Sequence, residues 1–177
     1  TMLGENVYSV PFHLDVLLLW VNQNYLKEIG LTKIKSQADF EQLLNYNFGE
    51  SCYGYGGAWE PTYVYNELFL FINLFGGDYY DWNNEYTREA LKFLYLSYHS
   101  GLVPKEQLVD QYDQMMQKFI DGKYGSIFMY SGAMDSFSKS GSYGPDKLHM
   151  AAVPVFRENV TNMATWQYVL NKSSSKK

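Results

Sequence analysis

Residues 119–134, Phe119-Ile-Asp-Gly-Lys-Tyr-Gly-Ser-Ile-Phe-Met-Tyr-Ser-Gly-Ala-Met134, bring a helix end, a buried strand and a small-residue turn into sixteen positions. Just upstream, Leu108, Val109, Tyr112, Met115, Met116, Phe119 and Ile120 recur at helical spacing. Gly122 then stands where a left-handed residue closes a helix without a Cβ penalty. Ser126 to Tyr130 reads as a short apolar strand. It ends in Ser131-Gly132, where backbone N–H groups and one hydroxyl could face a bound molecule before Ala133 starts the next helix. Helix, strand and turn in this order predict a ligand-facing α/β corner.

The flanking sequence repeats the same alternation. Val7 to Val10 predicts a strand, Pro11-Phe12-His13 a bend, and Asp15 to Asn22 a second strand. The apolar run Val16 to Val21 suits burial on both faces. A helix over Asn24 to Ile29 ends at Gly30, and Ser36 opens another with Asp39 three residues on, a carboxylate form of the capping box. A loop over Asn45 to Gly57 leads into a short Gly-Tyr-Gly-Gly strand. Pro61 marks the first turn of a helix that buries Val64, Leu68, Phe71, Ile72 and Phe75 and stops at Gly76-Gly77. Asn84 caps a helix through Ser100 with Ala90, Leu91, Leu94, Tyr95 and Tyr98 as its inner stripe, closed by Gly101 and Pro104. Leu148 to Val153 and Thr165 to Asn171 read as further strands, before a polar Ser/Lys tail. The order of elements predicts an α/β fold: an open, mostly parallel sheet with helices on both faces.

Composition narrows the partner. The net charge is −5 and no Lys/Arg stripe exists, which argues against nucleic acid or an anionic membrane surface and for a neutral ligand. Aromatics make up 18% of the chain, seventeen of them tyrosines, which suit either an aromatic-rich core or surfaces that stack on apolar faces while offering a hydroxyl. Cys52 is the single cysteine, so neither an internal disulfide nor a cysteine-based metal site can form. His13, His99 and His149 are dispersed without carboxylates at ligand spacing, so no metal site is expected. The apolar runs are too short to span a bilayer, and an export signal would have to lie outside this sequence. Asn159-Val-Thr161 and Asn171-Lys-Ser173 match the glycosylation pattern, which matters only in a eukaryotic secretory host.

Two clusters have the chemistry of a sugar site. Trp59-Glu60-Pro61-Thr62-Tyr63-Val64-Tyr65 sets an indole, a carboxylate and two phenols at a helix N-terminus. Pyranose rings stack their C–H faces on aromatics, and their hydroxyls need carboxylate acceptors and N–H donors. The competing reading makes Glu60 a helix cap and Trp59 a hydrophobic staple. Phe12, His13 and Asp15 fall at the expected chain reversal, where Asp15 could accept from two hydroxyls and His13 suits a structural role as well as a contact. Ser136-Phe-Ser-Lys139 matches the Ser-x-x-Lys of penicillin-recognising enzymes, but Ser-Asp-Asn and Lys-Thr-Gly are absent. No Gly-x-Ser-x-Gly elbow, P-loop or dinucleotide fingerprint occurs, so no cofactor is expected. A glycosidase would need two carboxylates at a fixed separation, which Asp15 and Glu60 could supply.

The segment around Phe119-Ile-Asp-Gly-Lys123 resembles the "F-x-x-G-K-x-A-M" pattern of bacterial extracellular solute-binding proteins, the carbohydrate receptors of ABC importers, including the maltodextrin class. Further likenesses follow in order. Val7-Tyr-Ser-Val-Pro11 is similar to "Y-x-x-P", Val21-Asn-Gln-Asn-Tyr-Leu26 to "Y-N-K-D-L", and Gly30-Leu31 with Ser36 to Phe40 to "G-L … W-E-E-F". Trp59-Glu-Pro-Thr-Tyr63 is similar to the sugar-contacting "E-P-Y-F". Gly76-Gly77, Ser100-Gly-Leu-Val-Pro104 and Val153-Pro154 match later family elements. The resemblance implies a two-lobed receptor that closes on its ligand by a hinge, of which this chain is mainly the second lobe. Residues 1–156 would form the lobe core, 157–164 a hinge-like connection, and 165–177 a returning strand and tail. It also implies an extracytoplasmic protein, periplasmic or lipoprotein-anchored, that hands an oligosaccharide to ABC permease subunits without catalysis, with a first lobe completing the site. Carried over, Asp15 is a polar contact, Glu60 with Thr62 and Tyr63 the carboxylate and aromatic contacts, and Ser131 to Met134 the turn that often presents a stacking Trp. Met134 stands near that Trp position here, a departure from the pattern. The rival readings are a glycoside-processing enzyme domain and a non-transport sensor or adhesion module.

Overall fold

The computed structural model describes residues 2–3, 6–169, 171 and 173. Strands β1 (Met2–Leu3) and β2 (Asn6–Val7) form a small antiparallel pair. The organising element is β3 (Val10–Asn22), which runs through the expected bend as one thirteen-residue strand. Pro11 cannot donate to a ladder, and the strand accommodates it with a register shift between Pro11 and His13. Phe12 and His13 therefore lie within a strand and not at a chain reversal, which corrects the sequence reading.

Helices α1 (Gln23–Glu28), α2 (Gln37–Asn45), α3 (Val64–Leu74), α4 (Glu85–His99) and α5 (Tyr112–Ile120) precede β4 (Ser126–Tyr130). A 3-10 turn (Ser131–Ala133), α6 (Met134–Lys139), β5 (Leu148–Ala151) and β6 (Met163–Tyr168) follow. Local signals behave as their chemistry dictates. Asn22 caps α1, Gly30 takes φ +74°, Ser36 and Asp39 close a reciprocal capping box, Asn84 accepts from two N–H groups of α4, and Gly122 takes φ +71°. The box holds the Asp39 carboxyl below its usual range despite some burial, through N–H groups of Lys35 and Ser36 and the Ser36 hydroxyl. Two stripes shift: α5 begins only at Tyr112, leaving Leu108 and Val109 exposed, and Tyr95 of α4 faces solvent.

β3 lies at the centre, with β4 and β5 on its two sides and β6 along its first half, and every one of these pairings is antiparallel. The expectation of a mostly parallel sheet is thus overturned. Parallel contacts reduce to isolated bridges such as Tyr53 with Tyr124 and Ser36 with Val155. An apolar run records that both faces are covered; it carries no information on which way the neighbouring strand runs.

The expectation of helices on both faces stands, because β3 alternates between two cores. Leu17, Leu19 and Val21 join Phe128 of β4 and residues of α1 to α4 on one face. Trp20 joins Ile127, Met115 and Phe119 of α5, and Phe137 of α6 on the other. Phe40 sits amid the rings of Tyr55, Phe71, Phe128 and Phe156 at centroid distances of 5.5 to 6.1 Å. Such buried aromatics supply about 1.5–3 kcal/mol each by removal from water and fix the spacing of the layers.

The first half of β3 differs. Val10, Phe12 and Leu14 are more than half exposed, as are Met163, Trp166 and Tyr168 on β6. This two-stranded ribbon carries apolar side chains in water, and ribbons of two strands are marginally stable alone.

Candidate functional site

The carboxyl end of β4 meets the middle of β3 at a side-chain lock. Asp15 Oδ1 accepts from the Ser131 hydroxyl at 2.5 Å and from Gly132 N–H at 3.0 Å, and Ser131 Oγ accepts from Val16 N–H at 3.4 Å. A side chain at Gly132 would bring its Cβ to 3.1 Å from Asp15 Oδ2, so a small residue lets the carboxylate come this close. Asp15 Oδ2 has no hydrogen-bond donor among the described residues. Met134, partly exposed, opens α6 immediately after this turn.

A second cluster gathers at the start of α3. Pro61 precedes the helix in a turn in which the Glu60 carbonyl accepts from Tyr63 and Val64 N–H. The Glu60 carboxylate takes the Thr62 N–H at 2.9 Å and the Thr62 hydroxyl at 3.2 Å. Glu60 thereby acts as the cap of this turn, whatever else it contacts. The Tyr63 ring packs at a tilt against that of Tyr112, with centroids 4.7 Å apart.

Trp59 is half-buried against the core, its Nε1 donating to Glu67 Oε2 at 3.0 Å and its main-chain N–H to the Gln107 carbonyl at 2.7 Å. Glu67 also receives the Ala58 N–H at 3.1 Å and the Tyr55 hydroxyl. Burial pushes the Glu67 carboxyl up to about 8, with the Ala58 N–H pulling the other way. Gly57 is required by the approach of these groups, since a Cβ there would lie 2.5 Å from Trp59 Nε1.

Between the clusters stands Asn66, almost fully buried near the start of α3. Its Nδ2 donates to the Tyr112 hydroxyl, its Oδ1 accepts from Tyr130 Oη at 3.1 Å, and its carbonyl accepts from Asn162 Nδ2 at 2.9 Å. Asn162 belongs to the segment leading into β6, which is tied to β3 through Leu17 N–H to the Asn162 carbonyl at 2.9 Å and the Thr161 hydroxyl to the Leu17 carbonyl at 2.5 Å. Burial raises both phenols, Tyr112 with Glu67 nearby and Tyr130 with Tyr65 and Asp15 nearby, so both stay neutral hydroxyls at physiological pH. A cavity of about 390 Å³ opens here, lined by Tyr65, Asn66, Phe69, Tyr130, Asn162 and Met163 among others.

Of the residues singled out in the sequence, Asp15 and Ser131 are in direct contact, and Trp59, Glu60 and Tyr63 share the approach to α3. Tyr130 and Asn66 join the two groups. Phe12 and His13 sit apart on the ribbon, where Phe12 stacks on Tyr168 at 4.3 Å. Asn66, Glu67, Tyr112, Tyr130 and Asn162 escaped the sequence reading. The available signal was Asn66-Glu67, two polar residues within the apolar run of α3, which burial converts from an apparent first-turn decoration into a hub. The rim is made of carboxylate, amide, hydroxyl and aromatic groups, a set able to exchange hydrogen bonds with hydroxyls and to cover apolar ring faces.

The fold matches known structures closely in shape and weakly in sequence. The maltose-bound MalE3 of T. maritima aligns at a TM-score of 0.80 and 18% identity, over 98% of this chain and 48% of that one. An ABC substrate-binding protein of Listeria monocytogenes in complex with cycloalternan aligns at 0.79 and 15%, over 99% and 46%. UgpB of Mycobacterium tuberculosis in complex with glycerophosphocholine aligns at 0.80 and 17%, over 99% and 45%. The chain thus spans about half the length of these structures. No match is found among curated proteins. The family model described as bacterial extracellular solute-binding protein matches residues 1–177, and with that match over its whole length the chain belongs to this family.

Proposed function

We propose that this chain is one ligand-binding lobe of a two-lobed extracytoplasmic receptor that captures an oligosaccharide and delivers it to an ABC permease, without chemistry of its own. The observation that carries the reading is the rim at the carboxyl end of β4. There the Asp15–Ser131–Gly132 lock and the Tyr130–Asn66–Tyr112 cluster present hydroxyl-matching groups beside the aromatics at the start of α3. Asp15 Oδ2 and Glu60 would accept from sugar hydroxyls, Trp59, Tyr63 and Tyr65 would cover a pyranose face, and Met134 would supply a flexible apolar contact in place of a stacking indole. Among the structural neighbours, ones holding maltose and cycloalternan fit this class, and the one holding glycerophosphocholine shows that the fold also accepts a ligand that is not a sugar.

In this reading residues 1–156 form the lobe core and 157–164 the connection at the hinge. The exposed apolar ribbon of β3 and β6 runs to the first lobe, whose contact covers it. The glycosidase alternative fits poorly: Asp15 is held by Ser131 and Gly132, and Glu60 by Thr62. Both carboxylates are occupied by their own neighbours, and Glu67, which burial raises toward neutrality, bonds inward to Trp59.

Isothermal titration of the intact parent protein against neutral oligosaccharides, with chromatography of the mixtures afterwards, tests the proposal. Binding near the micromolar range, about −8 kcal/mol, with sugars recovered unchanged is the expected result. Cleaved products, or no binding to any glycan, would overturn it.

A further inference from the structure

We infer that Gln107 is the positioning residue of the Trp59–Glu60 rim: with one buried side chain and its own carbonyl it pins the backbone on both sides of Ala58, and so sets where the Trp59 indole stands before a ligand arrives. This rests on the carbohydrate reading above, in which Trp59 and Glu60 are contacts, and adds a residue that acts through them. Tyr55 to Trp59 lie outside any helix or strand, so their N–H groups need acceptors from elsewhere. Gly56 N–H goes to the Ser126 carbonyl at 3.1 Å, Gly57 N–H to Gln107 Oε1 at 3.1 Å and Ala58 N–H to Glu67 Oε1 at 3.1 Å. Trp59 N–H goes to the Gln107 carbonyl at 2.7 Å and Glu60 N–H to the Asp110 carbonyl at 3.3 Å. Every acceptor belongs to β4, α3 or the stretch 107–110, and none to the segment itself. Gln107 supplies two of them.

The need is greatest at Gly57. The indole and Glu67 leave no room for a Cβ there, and glycine is the residue whose backbone loses most freedom on being fixed. An acceptor for its N–H therefore decides whether the chain beneath the indole is held or free. Gln107 is itself held: it sits fully buried in a 3-10 turn (Lys105–Leu108), and Asp110, just after the turn, is buried and bonds Lys118 of α5 at 2.5 Å. The orientation of its amide is fixed by chemistry, since half a rotation would set N–H₂ against the Gly57 N–H, donor to donor. Nε2 meets no hydrogen-bond partner among the described residues. A methionine would fill similar space without that unmatched donor, so packing alone does not account for an amide here, whereas the bond to Gly57 does. Affinity gains when contacts stand in place beforehand, and the clamp on residues 57 and 59 supplies that order to the rim.

The test is titration of the intact parent protein with maltose, laminaribiose and maltotriose, comparing wild type with Gln107→Met and Gln107→Glu and recording the melting temperature of each. Fluorine NMR of protein labelled with fluorotryptophan follows the indole directly, the Trp59 signal being assigned by its loss in Trp59→Phe. Methionine removes the acceptor at similar size, and glutamate keeps an acceptor for Gly57 whether protonated or charged. Gln107→Met should bind the best-bound sugar about tenfold more weakly or worse, with the Trp59 signal of the free protein shifted or broadened and the other tryptophan signals in place. Gln107→Glu should restore the Trp59 signal and most of the affinity. Wild-type affinity in folded Gln107→Met, or equal losses in both variants with the Trp59 signal unmoved, would overturn the inference while leaving the carbohydrate reading in place. Should Gln107→Met fail to fold, hydrogen exchange of wild type decides: Gly57 and Trp59 amides that are protected support the clamp, and amides exchanging as fast as those of exposed loops overturn it. No binding of any of the sugars by wild type would remove the carbohydrate reading and this inference with it.

Discussion

Glu67→Gln tests how the Trp59 segment is held. The carboxyl is buried and meets the Ala58 N–H, the Trp59 indole N–H and the Tyr55 hydroxyl. In its protonated form it still accepts from Ala58 on Oε1 and from Trp59 on Oε2 and shares one hydrogen bond with the Tyr55 hydroxyl. Burial raises the folded-state value from 4.5 to about 8, so the folded state binds a proton that the unfolded chain has released between those limits. The sign follows: this contribution is complete below about pH 4.5, declines as pH rises, and is gone above about pH 8. Its size is about 5 kcal/mol, from roughly 1.4 kcal/mol for each unit. Glutamine keeps the Ala58 and Tyr55 bonds but turns an N–H₂ toward the Trp59 donor, leaving that donor unmatched at about 1–3 kcal/mol. Urea unfolding of the chain from pH 5 to 9 should show wild type the more stable at pH 5, a falling curve for wild type, a flatter one for Glu67→Gln, and a crossing near neutrality. Parallel curves would refute the assignment of a neutral buried carboxyl.

Two further substitutions probe the same region. Gly57→Ala places a Cβ 2.5 Å from Trp59 Nε1 and 2.7 Å from Glu67 Oε2 and should lower stability by about 1–3 kcal/mol; an unchanged melting temperature would contradict this packing. Trp59→Ala should weaken sugar binding by about 1–3 kcal/mol. Because the indole packs on the core and bonds Glu67, the substitution should also lower the urea midpoint, and loss of binding with an unshifted midpoint would place Trp59 wholly on the ligand side.

What could be read in the sequence was whatever a local rule enforces. Caps and stops were legible because Ser36, Asn84, Gly30 and Gly122 act on backbone groups within a few residues of themselves. The strand Ser126–Tyr130 and the turn after it were legible for the same reason. Strand direction was hidden because the apolar run of β3 is the same whether its neighbour runs up or down. Tyr95 was misplaced by a similar limit: helical spacing gives a stripe, but whether the stripe is covered depends on partners far along the chain. The hub around Asn66 joins positions separated by 46, 64 and 96 residues, a relation that no local window contains.

β3 shows how the two kinds of information combine. Its second half, Leu17 to Asn22, has strands on both sides and a core on each face, whereas its first half has only β6 beside it and apolar side chains in water. Asp15 falls at the boundary, the last polar residue before the buried run, and its lock to Ser131 and Gly132 fastens the end of β4 where the sheet gives way to the ribbon. A ligand hydroxyl bound to Asp15 Oδ2 would therefore bear on the point at which lobe and ribbon join. The Asn162 bridge from Asn66 reaches the same strand at Leu17, two residues further on. Both clusters of the candidate site are thus tied to one short stretch of β3, and a rotation of the ribbon relative to the sheet would have to reorient them together.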